Sequence, residues 1–126
     1  MAQYTVLIIG AADRWWTSMS LAERTDGYAQ YHKLGEALAA GGHTVVGGAE
    51  LTQTAQARSI PAGGGAVTDG PYAEAVEQVG GYYQIETEDL DGMIECFQII
   101  ARTGDGIEVR PNVVPEDRPS ADAVTS

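Results

Sequence analysis

The order of strand and helix patterns is the feature that most constrains the fold of this chain. Apolar residues repeat with strand spacing in four segments and with helix spacing in two. In chain order these are a strand at 4–9, a helix ending at 41–42, strands at 44–46 and 82–86, a helix over 87–101 and a strand at 107–111. A weaker pattern at 55–60 predicts one more short strand, at an edge. The order predicts an α+β fold on the split βαβ plan, with one antiparallel sheet and two helices on one face.

The first strand has apolar side chains on both faces, because residues 6–9 are all apolar. Two helices cannot cover both faces of such a sheet. An apolar sheet face left open in this way is typical of a subunit interface. The sequence therefore predicts a homodimer in which the open sheet face of one copy packs against the other copy.

Length and charge restrict the partners of the chain. Its 126 residues fit one domain, predicted at 1–112 and followed at 113–126 by a tail without pattern that we expect to be mobile. With 18 acidic and 7 basic residues, the net charge is −11. This charge argues against binding to nucleic acid or to an anionic membrane, and it favours a neutral or cationic ligand.

Two further sequence features predict the compartment. The single cysteine, Cys96, allows no intrachain disulfide, which fits a reducing environment. No stretch approaches the roughly 18 apolar residues of a membrane span, and a basic N-terminal region is absent. We therefore expect a cytoplasmic protein without a secretory signal.

The sequence of residues 11–17 predicts a loop, which contains two adjacent tryptophans, Trp15 and Trp16. We expect one of them to pack inward and the other to cover a neighbouring element or to line a ligand cleft. Ser20 and Glu23 then match a capping box and predict a helix start.

Paired glycines and acidic residues modify the elements that follow. Asp-Gly at 26–27 predicts an interruption after which the main helix restarts. The glycines at 47–48 predict a bulge in the second strand, and residues 74–79 are predicted to form one or two helical turns.

The stretch at 68–74, Thr-Asp-Gly-Pro-Tyr-Ala-Glu, contains an unusual turn. Pro71 has no N–H, so Asp69 cannot form the Asx-turn in which its carboxylate accepts a bond from the residue two positions on. The carboxylate is then either solvated or one of the polar groups of a cleft. Glu50 has similar alternatives, because it follows two glycines at a strand end and is either a solvated edge residue or a cleft acid facing Asp69.

Four other polar residues have a structural and a functional interpretation. His32 flanks the main helix and is either a partly exposed polar residue or a base. Glu74 and Glu77 would share one side of a helical turn, as a solvated pair or as a pair for cation binding or acid/base work. Arg110, at a strand end, either clamps an anion or pairs with surface acids. We expect no metal site and no cofactor. The chain has no strong metal-ligand spacing and no nucleophile elbow, which argues against a hydrolase.

Four motifs in this chain resemble the YCII-related proteins of the DGPF type. They are Gly-Gly-Ala-Glu-Leu at 47–51, Thr-Asp-Gly-Pro-Tyr-Ala-Glu at 68–74, Glu-Gln-Val-Gly-Gly-Tyr-Tyr at 77–83 and Glu-Val-Arg-Pro at 108–111. The resemblance covers about residues 1–112. Tyr72 stands where that family has phenylalanine, and Ala75-Val76 replace a usual Thr-Lys pair, so no role of that lysine is carried over.

The resemblance implies a dimeric α/β barrel of the ferredoxin-like type. It also implies the association with extracytoplasmic-function sigma factors that DGPF-type proteins show. The wider superfamily includes small dehalogenating or lyase-like enzymes that use a His-Asp pair. His32 and Asp69 are the closest candidates for such a pair in this sequence.

Two functional hypotheses follow. The first is a non-catalytic dimer that binds a small ligand or a regulatory protein. The candidate ligand contacts are Trp15, Tyr72, Glu74, Tyr82 and Arg110. The second is a cofactor-free small-molecule enzyme, in which Asp69 or Glu50 is the general base and His32 or a tyrosine orients the substrate.

Overall fold

The computed structural model describes residues 1–119 and has an α+β fold. Its strands are β1 (Ala2–Gly10), β2 (Thr44–Glu50), β3 (Arg58–Ser59), β4 (Thr68–Asp69), β5 (Gln78–Thr87) and β6 (Gly106–Pro111). Its helices are α1 (Ala12–Thr17), α2 (Leu21–Ala40), α3 (Leu90–Cys96) and α4 (Gln98–Ala101), and short 3₁₀ turns lie at Thr54–Gln56 and Pro115–Asp117. Residues 120–126 of the predicted tail lie outside the described residues.

Four strands form one antiparallel sheet in the order β2-β5-β1-β6, while β3 and β4 pair in a separate ribbon. The connection through α2 joins β1 to β2, with β5 between them. The connection through α3 and α4 joins β5 to β6, with β1 between them. This is the strand order of the ferredoxin-like split βαβ plan, so the predicted fold class is confirmed. Of the edge strand predicted at 55–60, only Arg58–Ser59 is extended, and this β3 pairs with β4 outside the main sheet, whereas residues 55–56 belong to a 3₁₀ turn.

The hydrophobic core lies between the sheet and α2, α3 and α4. Its fully buried apolar side chains come from both layers: Val6, Ile8, Leu34, Leu38, Ile85, Met93, Phe97 and Ile100. The predicted second helix divides at Phe97 into α3 and α4, and Ile94 within α3 is exposed. Val6 and Ile8 alternate with Leu7 along β1, so the core uses one face of the strand.

The opposite face of the sheet is not covered by α2, α3 or α4. Four apolar side chains are assigned to one end of this face by strand alternation and cross-strand pairing: Leu7, Ile9, Val79 and Tyr82. The other end of the face is polar. There the Asn112 amide donates to Oε1 of Gln84 at 2.9 Å, and the Thr5 hydroxyl donates to Oδ1 of Asn112 at 2.6 Å.

Residues 11–17, predicted as a loop, form α1 instead. The helix is only six residues long, and its adjacent tryptophans give no helical apolar period, so the sequence pattern did not reveal it. The Arg14 N–H donates to the carbonyl of Ala11 at 3.0 Å and closes the first turn. This short helix packs beside the N-terminal half of α2.

Helix α2 begins at the predicted capping box. The Glu23 N–H donates to Ser20 Oγ at 3.1 Å, and the Ser20 N–H donates to Glu23 Oε1 at 3.0 Å. The interruption predicted at 26–27 is wrong, because α2 continues without a break to Ala40. A glycine inside a helix costs about 1 kcal/mol relative to alanine but does not by itself break the helix.

The glycines of β2 produce the predicted bulge, since the pairing with β5 shifts between Val45 and Gly47. The helical turns predicted at 74–79 are absent. Instead, the Gln78 side-chain amide donates to the carbonyls of Ala73 and Ala75, and β5 already begins at Gln78. Glu74 and Glu77 therefore do not share a helical face. No helix within residues 1–119 is long and apolar enough to cross a membrane.

Candidate functional site

A cavity of about 660 Å³ opens at one end of the core, between the sheet and the helix pair α1–α2. Its walls come from α1, the first half of α2, the adjoining ends of β1, β2 and β5, and the turn before β6. Aromatic residues dominate the lining: Trp15, Trp16, Tyr28, Tyr31 and Tyr83. Tyr82 also borders the cavity as part of β5, but strand alternation assigns its side chain to the uncovered face of the sheet. We call this space the aromatic cavity.

Trp15 forms the contact between α1 and α2. Its ring meets Tyr28 edge-to-face, with ring centroids 4.9 Å apart and planes at 90°. Gly27 makes this packing possible, because a Cβ at that position would lie 2.5 Å from the Trp15 ring. The glycine that suggested a helix break is therefore the position at which α2 admits a tryptophan.

This packing predicts opposite effects for two glycines of α2. Gly35→Ala should raise the free energy of unfolding by about 0.5–1 kcal/mol, because its Cβ would meet nothing within 4 Å and alanine favours the helix. Gly27→Ala should instead lower it by about 1 kcal/mol or more, because the new Cβ displaces the Trp15 ring. Urea unfolding followed by circular dichroism measures both. Equal stabilisation by the two substitutions would show that Trp15 does not pack on Gly27.

Helix α1 is also tied to the segment after β2. Both the backbone N–H and the hydroxyl of Thr54 donate to the Asp13 carboxylate. These hydrogen bonds, that from the hydroxyl first, lower the pKa of Asp13 below its usual value. These hydrogen bonds join residues 41 positions apart in the sequence and hold α1, one wall of the aromatic cavity, in place.

Glu50 lies at the end of β2 and faces α2. The Tyr28 hydroxyl donates to its two carboxylate oxygens, at 3.2 and 3.1 Å. Burial, and after it the bond to Glu50, raises the pKa of Tyr28. One hydrogen-bonded carboxylate–phenol pair thus stands at the cavity wall, ready to accept a further hydrogen bond from a ligand.

Asp105, in the turn before β6, supplies a second carboxylate. Its side chain lies against Gly10, where even a Cβ would collide with the carboxylate. Asp105 is half-buried, and burial raises the pKa of its carboxyl group. No donor within residues 1–119 hydrogen-bonds to this carboxylate. Tyr31 is close enough that its pKa is raised, chiefly by its own burial and then by the charge of Asp105.

The structure brings together only some of the predicted site residues. Trp15 and Glu50 line the aromatic cavity, and Tyr82 borders it from β5 with its side chain assigned to the opposite face of the sheet. Asp69 lies on the ribbon of β3 and β4, where its side chain is 84% exposed and pairs with Arg58 at 3.5 Å. Of its two predicted settings, solvation is the one found in a single protomer.

The remaining candidates also lie outside the cavity lining. His32 is 80% exposed on α2, and its Nε2 stands 3.6 Å from a carboxylate oxygen of Glu36, within ion-pair range when the ring is protonated. Tyr72, Glu74 and Arg110 are exposed. The His32 and Asp69 side chains each face a different surface partner, so a His-Asp pair is not assembled within one protomer.

Asp105 and Tyr31 are the site residues that the sequence patterns missed. The sequence does contain an indication for Asp105, because Gly-Asp-Gly at 104–106 directly precedes the predicted last strand. In the antiparallel sheet, Gly106 pairs with Ile9, which sets Asp105 beside the end of β1. Within residues 1–119, no group of three or more His, Cys, Asp or Glu side chains is placed to hold a metal ion.

Comparison with models of known protein families gives a match. The family model of the YCII-related domain matches residues 16–115, which include most of the cavity wall and all of α2, β2, β5 and β6. A sequence search of curated proteins finds no match.

Proposed function

Because the chain belongs to the YCII-related domain family, we propose that it binds a small, partly aromatic or aliphatic molecule in the aromatic cavity. The observation that carries this proposal is the cavity itself. Its volume of about 660 Å³ falls within the range of roughly 300–1,000 Å³ that is usual for ligand sites. Apolar walls with a few convergent polar groups are the usual composition of such sites.

Two features support a site that exists before the ligand binds. Trp15 is fixed by Tyr28 and by the space over Gly27, and α1 is fixed by the Asp13–Thr54 bonds. A preformed wall lowers the entropy cost of binding. The ligand then gains affinity from the aromatic area that it covers rather than from ordering the protein.

Nile red, a neutral dye that fluoresces in apolar surroundings, tests this proposal. We expect saturable one-to-one binding to the wild type and about tenfold or more weaker binding to Trp15→Ala, since a central tryptophan supplies a large share of binding energy. Val76→Ala, which changes an exposed apolar residue outside the cavity lining, should leave the affinity unchanged. Absence of saturable binding, or equal affinity of a folded Trp15→Ala variant, would contradict the proposal.

We also propose that the protein acts as a homodimer. The uncovered sheet face supports this, because its apolar end, formed by Leu7, Ile9, Val79 and Tyr82, would be covered by a second copy. The polar end around Gln84 would lie at the rim. Such a dimer agrees with the barrel architecture that the family resemblance implies.

A cofactor-free enzyme is the second candidate, and Asp105 is the observation that favours it. A carboxylate whose pKa is raised by burial is a stronger base than an ordinary aspartate, which suits a general base. Asp105 then replaces Asp69 as the candidate base within one protomer, with Glu50 beside the same cavity. A ligand that is chemically changed on incubation with the wild type but not with Asp105→Asn would favour this candidate over simple binding. The link to extracytoplasmic-function sigma factors stays a prediction from the family resemblance.

A further inference from the structure

The polar groups of the aromatic cavity are predominantly acidic. Its lining contains four carboxylates: Glu23, Asp26, Glu50 and Asp105. Among the described lining residues, Arg14 is the one base, and it lies 4.0 Å from a carboxylate oxygen of Glu23. An anionic ligand would therefore meet repulsion in this cavity, whereas a cation would meet attraction.

The two carboxylates nearest the sheet differ in their partners. Glu50 already accepts hydrogen bonds from Tyr28. Asp105 accepts none within residues 1–119, although it is half-buried. A half-buried carboxylate without a donor is the group that gains most from a charged donor on a ligand, because such bonds are about twice as strong as neutral ones.

The aromatic side chains of the cavity also favour a cationic ligand. The faces of tryptophan and tyrosine rings attract cations within about 6 Å of the ring centre. Trp15, Tyr31 and Tyr83 line the cavity that also holds Asp105. Aromatic faces in a binding site are a common means by which proteins recognise organic ammonium groups.

We propose that the natural ligand of the aromatic cavity is an organic amine, whose ammonium group pairs with Asp105 and whose apolar part packs against the tryptophans. This inference rests on the proposed ligand-binding function and adds the charge class of the ligand. Burial raises the pKa of Asp105 because its charged form is poorly solvated. A bound ammonium would offset that cost, and Gly10 leaves the carboxylate room to remain in the cavity.

Three molecules that share one phenylbutyl chain test the inference by isothermal titration. They are 4-phenylbutylamine, 4-phenylbutan-1-ol and 4-phenylbutyrate. We expect the amine to bind about tenfold more tightly than the alcohol, from charge pairing and cation–π attraction together, and the carboxylate to bind more weakly than the alcohol. If no member of the series binds, the proposed function itself fails. If the alcohol binds as tightly as the amine, only the amine assignment fails.

Variants identify the partner of the ammonium group. Asp105→Asn should weaken amine binding about tenfold, which corresponds to roughly 1.4 kcal/mol, and should change alcohol binding less than twofold. Asp91→Asn, an exposed aspartate in the first turn of α3, is the matched control and should change neither. Equal losses for amine and alcohol in Asp105→Asn would indicate a structural role for Asp105. An unchanged amine affinity in a folded Asp105→Asn variant would overturn the assignment to Asp105.

Discussion

Phe97→Ala is expected to lower the free energy of unfolding by about 3–5 kcal/mol, because truncating a buried phenylalanine removes apolar contacts and leaves a cavity. Phe97 is only 1% exposed and lies where α3 meets α4. Its ring meets Tyr83 edge-to-face with centroids 5.5 Å apart. Since Tyr83 also lines the aromatic cavity, the substitution should disturb the ligand site together with the core.

Denaturant unfolding measures this loss, and Ile94→Ala is the matched control. Ile94 lies on α3, three positions before Phe97, but is 36% exposed, so its truncation should cost less than about 1 kcal/mol. A loss below about 1 kcal/mol for Phe97→Ala would mean that the helices do not pack on the sheet as described.

Leu7→Lys is expected to convert the proposed homodimer into a monomer. Leu7 pairs with Tyr82 and with Glu108 in the middle of the sheet, on the face turned away from the helices. In the dimer a lysine there would lose its hydration at the interface together with Glu108, its cross-strand neighbour, and the cost of desolvating charged groups opposes association. The dissociation constant should rise by about 100-fold or more.

Light scattering coupled to size-exclusion chromatography measures the mass of each variant over a range of concentrations. Leu21→Lys provides the control, because Leu21 is exposed at the start of α2, on the helical side of the sheet, and should leave the dimer intact. A monomeric wild type at every concentration would refute the proposed dimer. A dimeric Leu7→Lys protein would place the interface on another surface.

The sequence predicted the parts of the fold that have a clear period. Val6 and Ile8 on β1 and Leu34 and Leu38 on α2 repeat with the spacing of their elements, and all four are buried. Periodicity reports which side of an element is apolar, and in a two-layer fold that is enough to determine how sheet and helices pack. Periodicity does not predict α1, because that helix is too short to show a period.

The candidate site was less predictable, because it depends on contacts between distant segments. Asp105 acquires its surroundings from Gly10, 95 positions earlier in the chain, through the pairing of β6 with β1. The Asp-Gly pair at 26–27 predicted a helix break. The observed role of Gly27 depends on Trp15, which belongs to a different helix, so the local pattern did not reveal it. Asp69 was a candidate site residue because of its unusual turn. Turn chemistry determines only the local backbone and not what the carboxylate faces.

The position of a bound ligand tests the central claim most directly. Amide NMR spectra of the wild type should be compared with and without 4-phenylbutan-1-ol. We expect the largest shifts on residues around the aromatic cavity, including Trp15, Gly27, Gly81 and Asp105. Shifts concentrated on the ribbon of β3 and β4 around Asp69, or no shifts at saturating alcohol, would contradict the central claim.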